Sequence, residues 1–421
     1  MERKSIDEIN KKIKRGEAVV CTAEEFKEKV RNDELVTVDT VDVVTCATCG
    51  IMSGTAAILQ LQIAGKARFE RAERVWLNGV PAHPGPCPNE RLDVVDVIVY
   101  GTAHANSGYG GGHLFRELVE GEVIEAKVET IDKMMIEREV TINDMKFARI
   151  FGVRMCFKNY MGFLNPVDGT VKTIFSVNGM KGPYREISVS GCGELNPLEN
   201  DPMLKTIGVG TRVLVNGAIG YVIGEGTRSS KERPNLSVVA DMYGMDPIFM
   251  GGFVTSCGPE CITSIAVPIP VTDEEVISNL SILDEDIKLP IADIMDRVPF
   301  AESNYASVWQ DLEEIEFDAE RCCNHDICNI EDYCPTNAFS RTMGIDRERC
   351  FNCGACIASC PGDVSRGGMG HVEIDGRTIP ITLRQSDRSR AKRLSERLKR
   401  MILKGDFLMA KPVDYLRNTE K

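Results

Sequence analysis

Four cysteines within eleven residues constrain this chain more than any other feature. The segment 350–361 reads Cys-Phe-Asn-Cys-Gly-Ala-Cys-Ile-Ala-Ser-Cys-Pro, which places them at Cys350, Cys353, Cys356 and Cys360. The spacing C-x2-C-x2-C-x3-C-P lets three thiolates bind one iron–sulfur cubane, while the fourth binds a neighbouring cluster. A structural zinc site is the alternative use of the same residues. The segment therefore predicts a loop folded around a metal centre.

A second group of cysteines precedes this segment and predicts the other half of a two-cluster, bacterial-type ferredoxin-like domain. Cys334 is followed by Pro335, so we expect it to complete the cluster held by Cys350, Cys353 and Cys356. Because the last cysteine of each group ligates the cluster held by the other group, Cys360 is expected to ligate the other cluster. The sequence thus predicts two [4Fe–4S] clusters near the C-terminus.

The ligands of that other cluster are irregularly spaced. Cys322, Cys323 and Cys328 are available, but no cysteine follows either of the first two at the usual interval. His325 or Asp326 would then supply a non-thiolate ligand, which predicts a labile corner. The alternative is a degenerate loop that holds no cluster.

Composition and charge exclude several classes of protein. The 421 residues are enough for two or three domains, and the net charge of −13 disfavours a nucleic-acid-binding protein. The first residues lack the apolar core of a secretory signal, and no run approaches the ~18 apolar residues of a membrane span. We expect a cytoplasmic protein with no membrane or nucleic-acid partner, and in that reducing compartment its sixteen cysteines are not disulfides.

The chain divides into four predicted parts. Residues 1–275 form a large α/β or α+β domain, residues 276–315 an acidic, proline-interrupted linker, and residues 316–365 the ferredoxin-like domain. Residues 366–421 form a tail, in which 384–404 has the apolar periodicity of an amphipathic helix with a basic face. We expect this helix to lie on the acidic body with its basic face in solvent; a membrane or RNA role is the alternative.

The large domain opens with two predicted helices over 1–35, split at Gly16. Val36–Thr45 is β-branched and apolar, which predicts a buried strand. It leads into Cys46 and Cys49, which we place in a turn before a helix starting near residue 52. A helix N-terminus stabilises thiolate, so this pair is the predicted sulfur-handling site.

Other thiols are candidates for the same chemistry. Cys192 stands between two glycines, Cys87 lies in a proline-rich loop, and Cys257 and Cys261 bracket a short turn. Together with Cys46 or Cys49 they would allow a third cluster with an open iron corner in the large domain. The alternative is that most of them are buried and inert.

A glycine-rich loop follows the second predicted strand, Val94–Tyr100. It contains Gly110, Gly111, Gly112 and His113 and runs into a predicted helix over Leu114–Glu120. Backbone N–H groups at such a helix start bind anions, so the loop is a predicted substrate-binding site, with a tight structural turn as the alternative. His113 is a candidate acid or base.

Residues 1–275 resemble the homocysteine-biosynthesis family of aspartate-semialdehyde sulfurtransferases. The matching stretches include Ser5–Asn10, Val41–Thr45, Tyr109–His113, Asn200–Pro202 and Gly208–Arg212. With the fused ferredoxin-like domain, the chain resembles the branch called methanogenesis marker protein 16. The resemblance implies that sulfide and two electrons from a donor convert an aldehyde into a thiol.

One departure from the family concerns its essential cysteine, which the resemblance places in a Thr-Asp-Cys-Tyr-Pro stretch. The corresponding residues Glu129–Glu137 contain no cysteine. If the reaction is retained, another thiolate must carry the sulfur, and Cys46, Cys49 or Cys192 is the expected carrier.

The predicted function is an iron–sulfur sulfurtransferase that acts on a small anionic aldehyde. Within the methanogen branch, sulfoacetaldehyde to coenzyme M is the favoured conversion, and aspartate semialdehyde to homocysteine is the close alternative. Arg212 is the predicted anion-binding residue, with Arg149, Arg154 and Arg185 as further candidates. The rival functions are an electron-transfer subunit or a sulfur carrier without an active site of its own.

Overall fold

A computed structural model of the protein describes residues 4–65, 68–85, 91–309, 314–323, 326–360, 362 and 364–416. Within these residues the helices are α1 (Ile6–Arg15), α2 (Ala23–Arg31), α3 (Gly111–Glu120), α4 (Pro197–Asn200), α5 (Glu274–Leu280), α6 (Asn329–Tyr333), α7 (Ala355–Ser359) and α8 (Arg388–Leu403).

The strands are, in chain order, β1 (Val20–Thr22), β2 (Val43–Ile51), β3 (Thr55–Gln62), β4 (Ala72–Leu77), β5 (Val80–Pro84), β6 (Val94–Tyr100), β7 (Ile124–Thr130), β8 (Met135–Val140), β9 (Ala148–Phe157), β10 (Gly162–Leu164), β11 (Gly169–Val171), β12 (Met180–Gly182), β13 (Ile187–Val189), β14 (Arg212–Val215), β15 (Ala218–Glu225), β16 (Asn235–Asp241), β17 (Gly251–Thr255), β18 (Gly258–Pro270), β19 (Lys288–Asp293), β20 (Pro299–Asn304), β21 (Glu316–Phe317), β22 (Phe339–Ser340), β23 (Gly344–Ile345), β24 (Ser365–Arg366), β25 (His371–Ile374) and β26 (Arg377–Arg384).

A large, curled sheet dominates the fold. Its strands follow the order β1-β2-β18-β14-β15-β16-β9-β3-β6-β5-β4-β7-β8, and β17 pairs with β18. All of these pairs are antiparallel except β1 with β2. The fold is therefore a mixed, sheet-rich α/β arrangement, which agrees with the fold class predicted for the large domain.

A second sheet combines segments that the sequence assigned to three different parts of the chain. Its order is β20-β19-β10-β13-β26-β25, so strands from the predicted linker and tail pair with strands of the large domain. The linker prediction for 276–315 is wrong, because that segment forms part of α5 and two paired strands. Pro299 is compatible with this because it occupies the first position of edge strand β20. Pro290 lies inside β19, between β20 and β10.

The helices predicted at both ends of the chain are confirmed. Ser5 and Thr22 cap α1 and α2 through reciprocal hydrogen bonds with Glu8 and Glu25, respectively. Helix α8 buries its apolar face against β2 and β18, as its periodicity predicted; the buried apolar residues are Ala391, Leu394, Leu398 and Ile402. Its first turn departs from the prediction of a solvated basic face, because Arg388 and Arg390 are buried.

The strand predicted over Val36–Thr45 begins later and continues further. Strand β2 starts at Val43 and runs through Cys46 and Cys49 to Ile51, opposite β18. The expected helix near residue 52 is absent, because β3 occupies 55–62. By contrast, the strand predicted over Val94–Tyr100 is confirmed as β6.

Residues 316–365 contain two short antiparallel ladders, β21 with β24 and β22 with β23, and two short helices in contact, α6 and α7. Each helix precedes a cysteine that ends one cysteine group, Cys334 after α6 and Cys360 after α7. None of the described helices is both long and apolar enough to cross a bilayer.

Candidate functional site

The four thiols that the sequence assigned to one cluster converge in the structure. Burial raises the pKa of Cys350 to about 12, and the neighbouring thiols of Cys334 and Cys356 contribute. Burial also raises the pKa of Cys353, whose thiol is influenced by those of Cys334, Cys350 and Cys356. Within the described residues, no three metal-binding side chains are grouped closely enough for a single ion. The ligands of a four-iron cluster do not need to be grouped this closely, because each thiolate binds a different iron atom.

Hydrogen bonds dock this cysteine loop onto the turn between β26 and α8. The Cys353 carbonyl oxygen accepts a hydrogen bond from the Arg384 N–H at 2.8 Å. Arg390 Nη2 donates to the carbonyl oxygens of Glu348, Arg349 and Cys350 at 2.9 to 3.0 Å. The loop backbone is thus held by Arg384 and Arg390, and within the loop the Asn352 N–H donates to Cys350 Sγ at 3.5 Å.

The other cysteine group surrounds a cavity of about 380 Å³. Its lining includes Cys322, Cys323, Cys328 and Cys360, together with Asp326. A side-chain carbon added at Gly362 would lie 3.4 Å from Cys323 Sγ and 3.7 Å from Cys360 Sγ. An all-thiolate ligand set is therefore available, and Asp326 is a further oxygen ligand beside it. His325 lies outside the described residues.

The prediction that Cys46 and Cys49 lie in a turn before a helix is wrong. Both are fully buried within β2, and the helix that was to stabilise their thiolates does not exist. Burial raises the pKa of Cys46 to about 12 and that of Cys49 further still, so both thiols are neutral near pH 7. Their role in sulfur transfer stays a prediction without that support.

Cys192 does lie beside this strand, as predicted. Its Sγ is 3.5 Å from the carbonyl oxygen of Cys49, and burial raises its pKa to about 11. Sequence reasoning missed Cys156, a buried thiol close enough to influence both Cys192 and Cys46. Its strand has no unusual spacing or flanking residue that marks it.

The remaining candidate thiols do not join this group. Cys261 is buried in the other main core, against Gly101, and Cys257 is exposed. The predicted three-thiolate site linking them to Cys49 is therefore not formed among the described residues. Cys87 lies outside those residues.

The glycine-rich loop is a packing feature in the structure and not an anion cradle. The N–H groups of Gly111 and Gly112 donate to the carbonyl oxygens of Ala103 and Gly101, so they are not free for a ligand. A side-chain carbon at Gly111 would lie 2.1 Å from a backbone oxygen of Tyr100. Gly110 is likewise buried, and burial lowers the pKa of His113 to about 4, which excludes a charged imidazole near pH 7.

Of the candidate arginines, Arg154 lines a pocket, whereas Arg212 packs against an aromatic ring. Arg212 stacks on Phe407 at 4.6 Å and donates to the Leu408 carbonyl oxygen. Arg154 shares its pocket with Arg228 and Arg297, which sequence reasoning missed because they lie in separate loops. Other residues of the lining are Ile51, Met52, Ser53, Gly54, Ser190 and Gln385.

This pocket is adjacent to the docked cysteine loop. Gln385 follows Arg384, which binds the Cys353 carbonyl, and the Gln385 carbonyl oxygen accepts from the Ile51 N–H at 3.1 Å. Consecutive residues are about 3.8 Å apart. Arg384, the last residue of β26, contacts the backbone of the predicted metal-binding loop, and the next residue, Gln385, forms part of the pocket wall.

Comparison with known proteins agrees with the resemblance to the homocysteine-biosynthesis family. The profile of a family described as "Homocysteine biosynthesis enzyme, sulfur-incorporation" matches residues 18–409. An uncharacterized protein of Methanothermobacter thermautotrophicus is 46% identical over 96% of this chain and 94% of its own length. An L-aspartate semialdehyde sulfurtransferase of Methanocaldococcus jannaschii is 35% identical over 72% of this chain and 62% of its own length. No solved structure matches the chain.

Proposed function

The chain belongs to the sulfur-incorporating homocysteine biosynthesis enzyme family, and from that premise we propose that it converts a small anionic aldehyde and sulfide into a thiol. The favoured substrate is sulfoacetaldehyde, which would give coenzyme M. The main support from the structure is the hydrogen bond from Arg384 to Cys353, because it sets the predicted iron–sulfur loop beside the arginine pocket.

The proposed reaction balances as follows. Addition of hydrogen sulfide across the carbonyl forms a C–S bond and a hydroxyl group on the same carbon. Two electrons and two protons then reduce that carbon to the thiol and release the oxygen as water. The residues of the two cysteine groups fit [4Fe–4S] clusters, and such clusters, when bound, supply electrons one at a time. The electrons come from an external donor of low potential.

Glu260 is the proposed proton donor for the departing oxygen. It is 7% exposed, and burial raises the pKa of its carboxyl group, which favours the neutral, proton-donating form. Ser53, which lines the pocket, lies near enough to Glu260 to lower the pKa of that carboxyl group in part, against the larger effect of burial. Glu260 therefore lies beside the pocket wall, where its carboxyl group can hold the proton that the departing oxygen needs.

Aspartate semialdehyde is the second candidate substrate, and the relatives favour it. Two of them, from Methanocaldococcus jannaschii and Methanosarcina acetivorans, are named L-aspartate semialdehyde sulfurtransferase. On this alternative the chain would make homocysteine by the same reduction.

Anaerobic reconstitution with iron and sulfide, followed by incubation with sulfide, a strong reductant and each aldehyde, tests the proposal. We expect mass spectrometry to detect a thiol product from sulfoacetaldehyde with the parent and with Cys257→Ser. Cys353→Ser should form none. A reconstituted protein that forms no thiol from either aldehyde, yet passes electrons or sulfur to another protein, would support the rival functions instead.

A further inference from the structure

The pocket lined by Arg154, Arg228 and Arg297 carries an inference about what the site binds. Three guanidinium groups face one small cavity, and they raise each other's electrostatic energy. The pKa of Arg154 is lowered, first by burial and then by Arg228 and Arg297. An arrangement of this kind is stable when an anion neutralises it.

The arginines lack the partners that structural arginines usually have. Arg154 Nε is buried and makes no hydrogen bond within the part of the chain that the structure describes. Within that same part, none of the three arginines pairs with a carboxylate, and Arg297 instead stacks on Phe175 at 5.2 Å. The donors are therefore available to a ligand.

The backbone holds the arginines where they are. Strand β9 packs closely against Gly54. A side-chain carbon at this position would lie 2.9 Å from the Arg154 backbone nitrogen. Arg228 and Arg297 have φ values of 61° and 59°, a left-handed conformation that is uncommon in residues other than glycine. Such conformations cluster at ligand-binding sites, where they direct a side chain.

The lining also indicates which anions fit. The described residues of the wall include no aspartate or glutamate, so an ammonium group would meet three like charges and no carboxylate partner. A sulfonate presents three equivalent oxygen atoms to three guanidinium groups, whereas a carboxylate presents two. The lining thus favours a strongly acidic anion without an amine.

We propose that Arg154, Arg228 and Arg297 form the subsite for the anionic group of the substrate, and that this subsite selects a small sulfonate that carries no ammonium group. This proposal rests on the function proposed above, because the bound anion is part of a substrate only if that reaction takes place. The binding of the anion itself needs no turnover.

Calorimetric titration of the anaerobic, cluster-loaded protein with 2-hydroxyethanesulfonate tests the subsite. Taurine is the matched probe, since it replaces the hydroxyl group with an ammonium group. We expect 2-hydroxyethanesulfonate to bind at least tenfold more tightly than taurine and than 3-hydroxypropanoate. Equal binding of taurine would overturn the selectivity, and no binding of any of the three would overturn the subsite.

Variants assign the binding to the pocket. Arg154→Gln, Arg228→Gln and Arg297→Gln should each weaken 2-hydroxyethanesulfonate binding at least tenfold, while Arg138→Gln, an exposed arginine on β8, should not. Arg228→Gln and Arg297→Gln should not disturb folding, because both side chains are exposed. A loss of binding in these variants therefore reports on the subsite and not on stability. Unchanged binding in all three would overturn the proposal even if thiol is formed. Lost binding with no thiol product from any aldehyde would keep the subsite and overturn the proposed function.

Discussion

Arg388 Nη1 donates to Asp284 Oδ2 across 2.6 Å, joining the first turn of α8 to the segment predicted as a linker. The same guanidinium group reaches Glu194 at 3.2 Å, and Glu194 pairs with Arg31. Asp284, Glu194 and Arg388 are all buried. Four distant parts of the chain are therefore tied together by one buried ionic network.

Removing Arg388 should destabilise the whole protein. Arg388→Met leaves two buried carboxylates without one of their cations, and breaking a buried pair in this way costs about 3–5 kcal/mol. We expect a clear fall in the thermal unfolding midpoint. Arg400→Met is the matched control on α8, because Arg400 is 64% exposed and its pair with Glu396 spans 3.6 Å. A similar midpoint for both variants would show that the network adds little.

Cys353→Ala should remove one cluster and leave the other. Cys353 is buried among Cys334, Cys350 and Cys356, so its loss should lower the bound iron by about four atoms per chain. Iron analysis and visible absorption of anaerobically purified protein measure this. Cys257→Ala, at an exposed thiol outside both groups, should keep the full iron content. Undiminished iron in the Cys353 variant would refute the ligand assignment.

The two predicted clusters should differ in their resistance to oxidation. The two groups differ in one member each, since Cys323 is exposed and Cys353 is buried. The others are all half-buried: Cys322, Cys328 and Cys360 in the first group, and Cys334, Cys350 and Cys356 in the second. Oxidants should therefore reach the first group sooner and convert its cluster to a three-iron form. Electron paramagnetic resonance during controlled oxidation follows this change. If both clusters decay together, solvent access does not distinguish them.

Local signals explain what the sequence predicted correctly. Ser5 and Thr22 carry capping boxes, and Val94–Tyr100 is apolar and mostly β-branched apart from Asp96, so these elements are set by neighbouring residues. The convergence of Cys334 with Cys350 and Cys356 was likewise predictable, because the cysteine spacing itself encodes it.

Tertiary contacts explain what the sequence could not predict. The small residues around Cys46 and Cys49 indicate a turn, but they become strand because β18, more than two hundred residues away, pairs with them. Arg154, Arg228 and Arg297 come from β9 and two separate loops, and no spacing relates them. A pocket of this kind is visible only once the chain is folded.

A buried lysine gives the protein a specific pH dependence. Lys27 is 1% exposed, donates to Asn200 Oδ1 at 2.8 Å, and burial lowers its pKa from 10.5 to about 8. Between pH 8 and 10.5 the unfolded chain binds more protons at this residue than the folded one, so its contribution to stability rises with pH. Below pH 8 the cost of the buried charge is fully present and constant.

Lys27→Met should abolish this contribution. The free energy of unfolding of the variant, minus that of the parent, should fall from pH 8 to 10.5, by about 1.4 kcal/mol per pH unit at most. Urea denaturation at several pH values measures this difference, in which the titration of other groups cancels. Lys14→Met, at an exposed lysine on α1, should show no such trend. A constant difference for Lys27→Met would mean that the folded protein keeps this lysine charged throughout.

Among the buried thiols of the large domain, Cys192 is the one we expect to take part in sulfur transfer. It is two residues from Ser190 on the pocket wall, and its pKa is raised less than those of Cys46 and Cys49, because Thr48 and the Cys49 backbone hydrogen-bond to it. Cys192→Ser should abolish thiol formation while 2-hydroxyethanesulfonate still binds. Cys21→Ser, at a buried thiol on β1 that has no place in the proposed site, should keep the product rate within about twofold of the parent. Product formation by Cys192→Ser at the parental rate would show that sulfide reaches the aldehyde without the Cys192 thiol.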